Sequence, residues 1–102
     1  MKISQKLREC TGFEWDGNNA EKIWLKHDVM PSECEQTFFK KPFIISHDKR
    51  HSQIEDRYYA LGRTDTKRLL FVAFTIRNKL VRVISARDMT KKEKIIYSKH
   101  EK

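Results

Sequence analysis

Residues 68–87 read RLLFVAFTIRNKLVRVISAR, two long apolar runs separated by only Asn78 and Lys79. A connection of two residues cannot carry a chain across a sheet to a parallel neighbour, so the two runs lie side by side and antiparallel. Upstream, Arg57 to Thr64 alternates apolar and polar, and Asp65-Thr66-Lys67 turns it into the first run. Three strands over 57–64, 68–76 and 80–86 therefore form a meander. The most apolar of them, 68–76, is expected in the middle and buried on both faces. The rest of the chain must cover this sheet.

The remaining pattern supplies the cover. Ile3, Leu7 and Cys10 stand at helical spacing before Gly12, and Phe13-Glu14-Trp15 reads as a short strand. Asp16 caps a helix over 17–27, with Ala20, Ile23, Trp24 and His27 on one face. Pro31 suits the first position of a second helix, with Glu33 near its positive end and Val29 packing on Cys34 across its start. Phe38 and Phe39 close that helix before Lys40-Lys41-Pro42. Phe43-Ile44-Ile45 is a short strand, and 47–52 a polar loop. Thr90-Lys91-Lys92-Glu93 is a capping box that opens a helix to about Lys99. Helices, then a sheet, then a helix predict an α+β fold. A single domain over 13–102 is expected after an extension of residues 1–12, since 102 residues make one core.

Composition narrows the partner. Hydrophobic residues are 38% of the chain, enough for a core and too many for a disordered segment. The net charge of +8 points to a polyanion, nucleic acid before an acidic protein or a membrane surface. No apolar run reaches the ~18 residues of a membrane span and MKISQKLREC lacks a signal-peptide core, so a cytoplasmic location without membrane association is expected. Cys10 and Cys34 form no disulfide framework, and Cys34 reads as a small core residue.

The meander decides where its arginines land. Strands 57–64 and 80–87 run the same way, so Arg63, Arg68 and Arg87 gather at one end of the sheet and Arg57, Arg77 and Lys79 at the other. Alternation puts Arg63 with Leu61 and Tyr59, and Arg87 with Ser85 and Val83. If the two arginines share a face they stand about 10 Å apart, room for a phosphodiester, with Lys91 and Lys92 following at the same end. A guanidinium offers phosphate oxygens a permanently charged fork of donors. The alternative is that strand-end arginines are solvated and guard sheet edges. Tyr58 and Tyr59 face opposite ways, one to the core and one free to stack on a base. His47 and His51 flank Asp48 without a third ligand at metal-binding spacing; they read as loop histidines, one of which can give or take a proton near neutral pH. The chain has no P-loop, no GxSxG and no paired-carboxylate cluster to support nucleotide hydrolysis, esterase or two-metal nuclease work.

A series of segments carries a resemblance: FEWD (13–16), Lys26-His27, FF (38–39), RHS (50–52), RYYALGRTD (57–65), RLLFVAFTIR (68–77) and VRVISAR (81–87), with a basic helix following. In this order they resemble the BrnT family, toxins of type II toxin–antitoxin systems, over about residues 13–98. The resemblance implies a RelE-like fold and a ribonuclease that arrests bacterial growth by cutting RNA. It implies attack by a ribose 2′-hydroxyl, with no metal and no cofactor. The implied partner is a BrnA-like antitoxin that joins a ribbon-helix-helix DNA-binding region to a toxin-covering segment, the complex repressing its own operon. Arg63 and Arg87 fall in the GRT and ISAR motifs, and Lys26, His51 and Arg77 at other matching positions. The expected catalytic set is Arg63, Arg87, His51 and Lys26. Arg68, Arg77, Lys91, Lys92 and Tyr59 are expected to touch RNA. The chain departs from the family pattern at Asp28, where a glycine follows Lys-His, at Met30, where a small capping residue stands, and in its first ten residues. The rival from another class is a non-catalytic basic module that binds RNA or a protein.

Overall fold

The computed structural model describes residues 2–51 and 53–101; Ser52 of the expected polar loop lies outside the described residues, as do Met1 and Lys102. The elements are α1 (Ile3–Arg8), β1 (Gly12–Glu14), α2 (Gly17–His27), α3 (Pro31–Thr37), β2 (Ile44–His47), a 3-10 turn (Lys49–His51), β3 (Arg57–Arg63), β4 (Leu69–Arg77), β5 (Leu80–Asp88) and α4 (Lys91–His100). The sheet has the order β1-β5-β4-β3-β2. Its meander follows from the short turns. Asn78 and Lys79 both take positive φ, 54° and 62°, the twist a two-residue hairpin loop requires.

The sheet is not wholly antiparallel. β1 lies parallel to β5, pairing Gly12 with Leu80 and Glu14 with Arg82. No short turn joins these two strands, so nothing local dictates their direction.

Local chemistry sets the helix ends. The Asp16 carboxylate accepts the Asn18 N–H at 2.8 Å. α2 stops at Asp28, which adopts the left-handed conformation (φ 57°) in place of a glycine. Met30 contributes no capping oxygen, but Glu33 accepts the Met30 N–H at 2.9 Å, which preserves half of a capping box. At α4 the full box forms between Thr90 and Glu93.

One face of the sheet is sealed. Tyr58, Ala60, Leu70, Val72, Phe74 and Val83 are buried with Ile23, Val29 and Cys34 of the helical layer. Ile3, Leu7 and Cys10 pack on the same core, so the N-terminal segment is built into the domain. Of the expected α2 stripe only Ile23 is buried; Trp24 remains 47% exposed, because the helix meets the sheet along a narrower line. On the second face α4 lies over one end, where it brings Tyr97 onto Leu61 and Met89 with Ile44, Leu69 and Phe71 around them, and Thr75 is buried towards the other end. β4 is therefore not buried on both faces: Leu70, Val72 and Phe74 are, whereas Leu69, Phe71 and Ala73 are half-covered.

Arg68 locks the helical layer to the sheet. Its Nε and Nη2 donate to Asp88 (2.8 and 3.2 Å), Nη2 also to the His27 carbonyl (3.2 Å), and Nη1 to the Asp28 carbonyl (2.8 Å) and to Glu33 (3.2 Å). All five guanidinium N–H groups are thus engaged. The hydrogen bonds from Arg68 hold the Asp88 carboxyl below its usual range.

Among the described residues, no helix is long and apolar enough to cross a membrane.

Gly62, the glycine before Arg63, lets β3 close on α3. A Cβ there would stand 2.9 Å from Thr37 Cβ and 3.2 Å from Phe43 Cδ1, and Thr37 is fully buried. Gly62→Ala is expected to cost about 1–3 kcal/mol in urea unfolding, the usual penalty of overpacking. Gly17→Ala, whose Cβ would meet nothing within 4 Å, should stay within about 0.5 kcal/mol of the parent.

Candidate nucleic-acid interface

Strand parity and register lay out the half-covered face in rows. Arg63 stands opposite Leu69; Leu61, Phe71 and Arg87 form the next row; Ser46, Tyr59, Ala73 and Ser85 the next; then Arg57, Thr75, Arg82 and Glu14. Arg63 and Arg87 do share a face. They are offset by two residues along β4, which puts their backbones roughly 12 Å apart instead of 10. The interval between them is filled by Leu61, Leu69 and Phe71, beneath Met89 and Tyr97. Val83 does not share that face. Between the pairs Ala73–Ser85 and Phe74–Val83 the register slips, Ile84 is the extra residue, and Val83 turns to the sealed core.

Arg87 is the centre of the exposed part. Its guanidinium carbon sits 4.1 Å from the centre of the Phe71 ring. Glu93 takes Nη1 and Nη2 at 2.8 and 3.0 Å, and the Asp88 carbonyl takes Nη1 at 3.1 Å. That leaves Nε and one Nη2 hydrogen without an acceptor among the described residues. On the opposite neighbouring strand Tyr59 stacks on Phe71, with centroids 5.5 Å apart and planes at 24°. A diagonal of cation and rings, Arg87–Phe71–Tyr59, thus crosses three strands. Tyr59 is 36% exposed and Tyr58 is buried, the division that alternation predicts. Lys91 and Lys92 are exposed on the first turn of α4.

The other expected residues are dispersed. Arg63 stands beside Tyr97; its Nε is buried with no acceptor, and no carboxylate pairs with it among the described residues. Arg68 points to the sealed side as the lock described above. Arg77, at the far end of β4, is held by both oxygens of Glu55 at 2.9 and 3.0 Å. His51 meets Asp48 at 2.8 Å, and His47 meets Asp56 at 3.2 Å, so the two histidines serve separate carboxylates. His51 lines a groove with Arg57 at the start of β3. The Arg57 row lies four residues from the Arg87 row along the strand, roughly 13 Å. Lys26 is exposed on the last turn of α2, behind the sheet. No group of three or more His, Cys, Asp or Glu side chains is placed to hold a metal among the described residues.

Sequence reasoning missed Phe71 as the platform for Arg87, Arg82 as a cation of this face, and Glu93 as more than a cap. Two-residue alternation carried from Tyr59 through the turn to β4 was the available signal for Phe71. Arg82 is paired with Glu14 at 3.3 Å and Asp16 at 3.6 Å, contacts that depend on the unforeseen parallel pairing of β1.

Residues 15–93 match the family model described as the ribonuclease toxin BrnT of type II toxin–antitoxin systems. The crystal structure of the Brucella abortus ribonuclease toxin BrnT is similar in fold, with a TM-score of 0.57 and 17% identity over 78% of this chain and 97% of that one. Comparison with curated protein sequences finds no match.

The clamp on Arg87 is open to a pH test. Hydrogen bonds from Arg87, above all, hold the Glu93 carboxyl below its ordinary value of 4.5. A carboxyl depressed on folding stabilises fully above its ordinary value, and that contribution is lost as pH falls through the lower, folded one. Glu93→Gln keeps a capping side chain and removes the charge. Parallel urea titrations should show the parent more stable than this variant at pH 7, with the difference shrinking steadily below about pH 4.5.

Proposed function

The chain belongs to the BrnT family of ribonuclease toxins of type II toxin–antitoxin systems, and on that premise we propose that it takes single-stranded RNA across the half-covered face of its sheet and cuts it without a metal. The observation that carries this reading is the Arg87–Phe71–Tyr59 diagonal, a partly unsatisfied guanidinium separated from the exposed ring of Tyr59 by the half-covered ring of Phe71. Sheet-mounted aromatics stack on unpaired bases, and an arginine fork beside them grips the phosphate between two nucleotides. Lys91 and Lys92, exposed at the start of α4, flank the diagonal on one side and suit a neighbouring phosphate.

In the proposed reaction the ribose 2′-oxygen attacks the adjacent phosphorus and the bond from phosphorus to the 5′-oxygen breaks. The 2′-hydroxyl loses a proton, the departing 5′-oxygen gains one, and the products are a 2′,3′-cyclic phosphate and a 5′-hydroxyl. Negative charge grows on the non-bridging oxygens as the 2′-oxygen closes in. Arg87 is fixed before the substrate arrives, and such preorganised donors cost no rearrangement at the moment of reaction. Arg63, which pairs with no carboxylate among the described residues, adds positive potential from the other side of the α4 footprint. His51 is too distant from this row to move its protons, and Lys26 is on the other side of the sheet.

Family membership implies a protein antitoxin. We assign that partner the BrnA-like, ribbon-helix-helix architecture, with operator binding by the complex, and assign the toxin itself to the RelE-like class. These rest on the sequence resemblance.

Labelled single-stranded RNA incubated with the protein in EDTA should be cut to 2′,3′-cyclic phosphate ends. Arg87→Ala should slow the cut by about 100-fold or more, the scale of losing one transition-state donor. Arg87→Lys, which keeps the charge and loses the fork, should fall between. Loss of cleavage in EDTA, or an Arg87→Ala variant as fast as the parent, would contradict the mechanism. RNA that is bound and left intact would favour the binding module.

A further inference from the structure

Beside the diagonal, between α4 and the strands β2 and β3, a groove of about 320 Å³ opens. Ile44 and Leu61 line its apolar part and Tyr59 stands in its wall. Lys92 and Ile96 approach from α4. Ser46 also lines the groove; it sits directly opposite Tyr59 in the β2–β3 ladder, and its side chain makes no hydrogen bond among the described residues. A larger residue at 46 would occupy the space. Glu93 lines the groove too, and the same carboxylate grips Arg87. The groove and the free donors of Arg87 are therefore neighbours, separated by one side chain.

These features select an occupant. A volume near 320 Å³ is at the small end of ligand clefts, enough for one planar ring system and too little for a packed protein element. An apolar lining with an aromatic wall suits a flat ring. A hydroxyl with both donor and acceptor capacity unspent suits the polar edge of a base. The ammonium of Lys92 suits the phosphate that such a ring would bring with it.

We propose that this groove receives a nucleobase, that of the nucleotide next to the phosphate held by Arg87, and that Ser46 helps decide which base fits. The proposal rests on the RNA-cutting reading and adds to it the source of site preference.

The test titrates the protein with the four ribonucleoside 5′-monophosphates and with ribose 5-phosphate, following backbone amide resonances. At least one nucleotide should move Ser46, Tyr59 and Lys92 saturably, while ribose 5-phosphate moves Lys92 alone. Ser46→Phe, which fills the groove, should weaken that nucleotide tenfold or more, and should still cut RNA but with its preference among positions flattened. Ser46→Ala, which keeps the space and removes the hydroxyl, should change the ranking of the four nucleotides, and it serves as the reading if the phenylalanine variant fails to fold. Nucleotides that shift other surfaces, or a Ser46→Ala protein with an unaltered ranking and unaltered cleavage positions, would overturn the proposal. A protein that binds nucleotides in the groove and cuts no RNA would keep the pocket and lose the ribonuclease mechanism. Cleavage at positions indifferent to Ser46 would do the reverse.

Discussion

Tyr97 determines how much of the sheet stays bare. Its ring is fully buried against Leu61 and Met89, and its hydroxyl donates to the Pro42 carbonyl at 2.6 Å, the partner a buried phenol requires. Burial pushes the phenol's pKa up, with the nearby Arg63 charge pulling the other way. That contact pins the second half of α4 at the β2–β3 side of the sheet. The first half, fixed by the Thr90–Glu93 box, then runs past Arg87. A short helix held at these two places covers Leu61 and Leu69 and leaves the Tyr59–Ala73–Ser85 row open.

The arginines are divided by the face on which parity places them. Arg68, on the sealed side, spends all five N–H groups holding α2, α3 and β5 together. Its bond to the Asp28 carbonyl offsets the cost of a non-glycine residue in a left-handed cap, so the departure at Asp28 is supported by the same hub. Arg77 and Arg82 are neutralised by carboxylates at the sheet margins. Arg87 is held but not exhausted, and Arg63 is left without a counter-ion among the described residues. Charge is therefore compensated where it joins elements, Arg87 keeps unspent donors beside its Glu93 partner, and the net charge of +8 favours a polyanionic partner over a cationic one.

What the sequence made legible is what short-range physics decides. A two-residue loop fixes the antiparallel pair at Asn78-Lys79, a reciprocal hydrogen-bond pattern fixes the start of α4, and alternation separates Tyr58 from Tyr59. Collection of Arg63, Arg68 and Arg87 at one sheet end was also readable from strand direction. Their faces were less so, because Arg68 is turned by partners distant in sequence and Val83 by a bulge with no glycine to mark it. β1 gave no sign of its parallel partner, since its direction is set by how the helical layer returns the chain. The incomplete cover of β4 was hidden for a similar reason: an apolar strand looks the same whether its second face meets a helix along its length or only at one end. At the candidate site the residue types were legible, and the role of Glu93 as a clamp on Arg87 was not, since the capping box alone accounts for its presence.

The most direct measurement is the footprint of a 2′-O-methyl RNA oligonucleotide, which binds without being cut, mapped by backbone amide shifts. The largest changes should fall on Tyr59, Ala73, Ser85, Arg87 and the first turn of α4, with α1, α2 and α3 undisturbed. A footprint on the helical layer, or one confined to the connection between β2 and β3, would contradict the assignment of RNA to the open face.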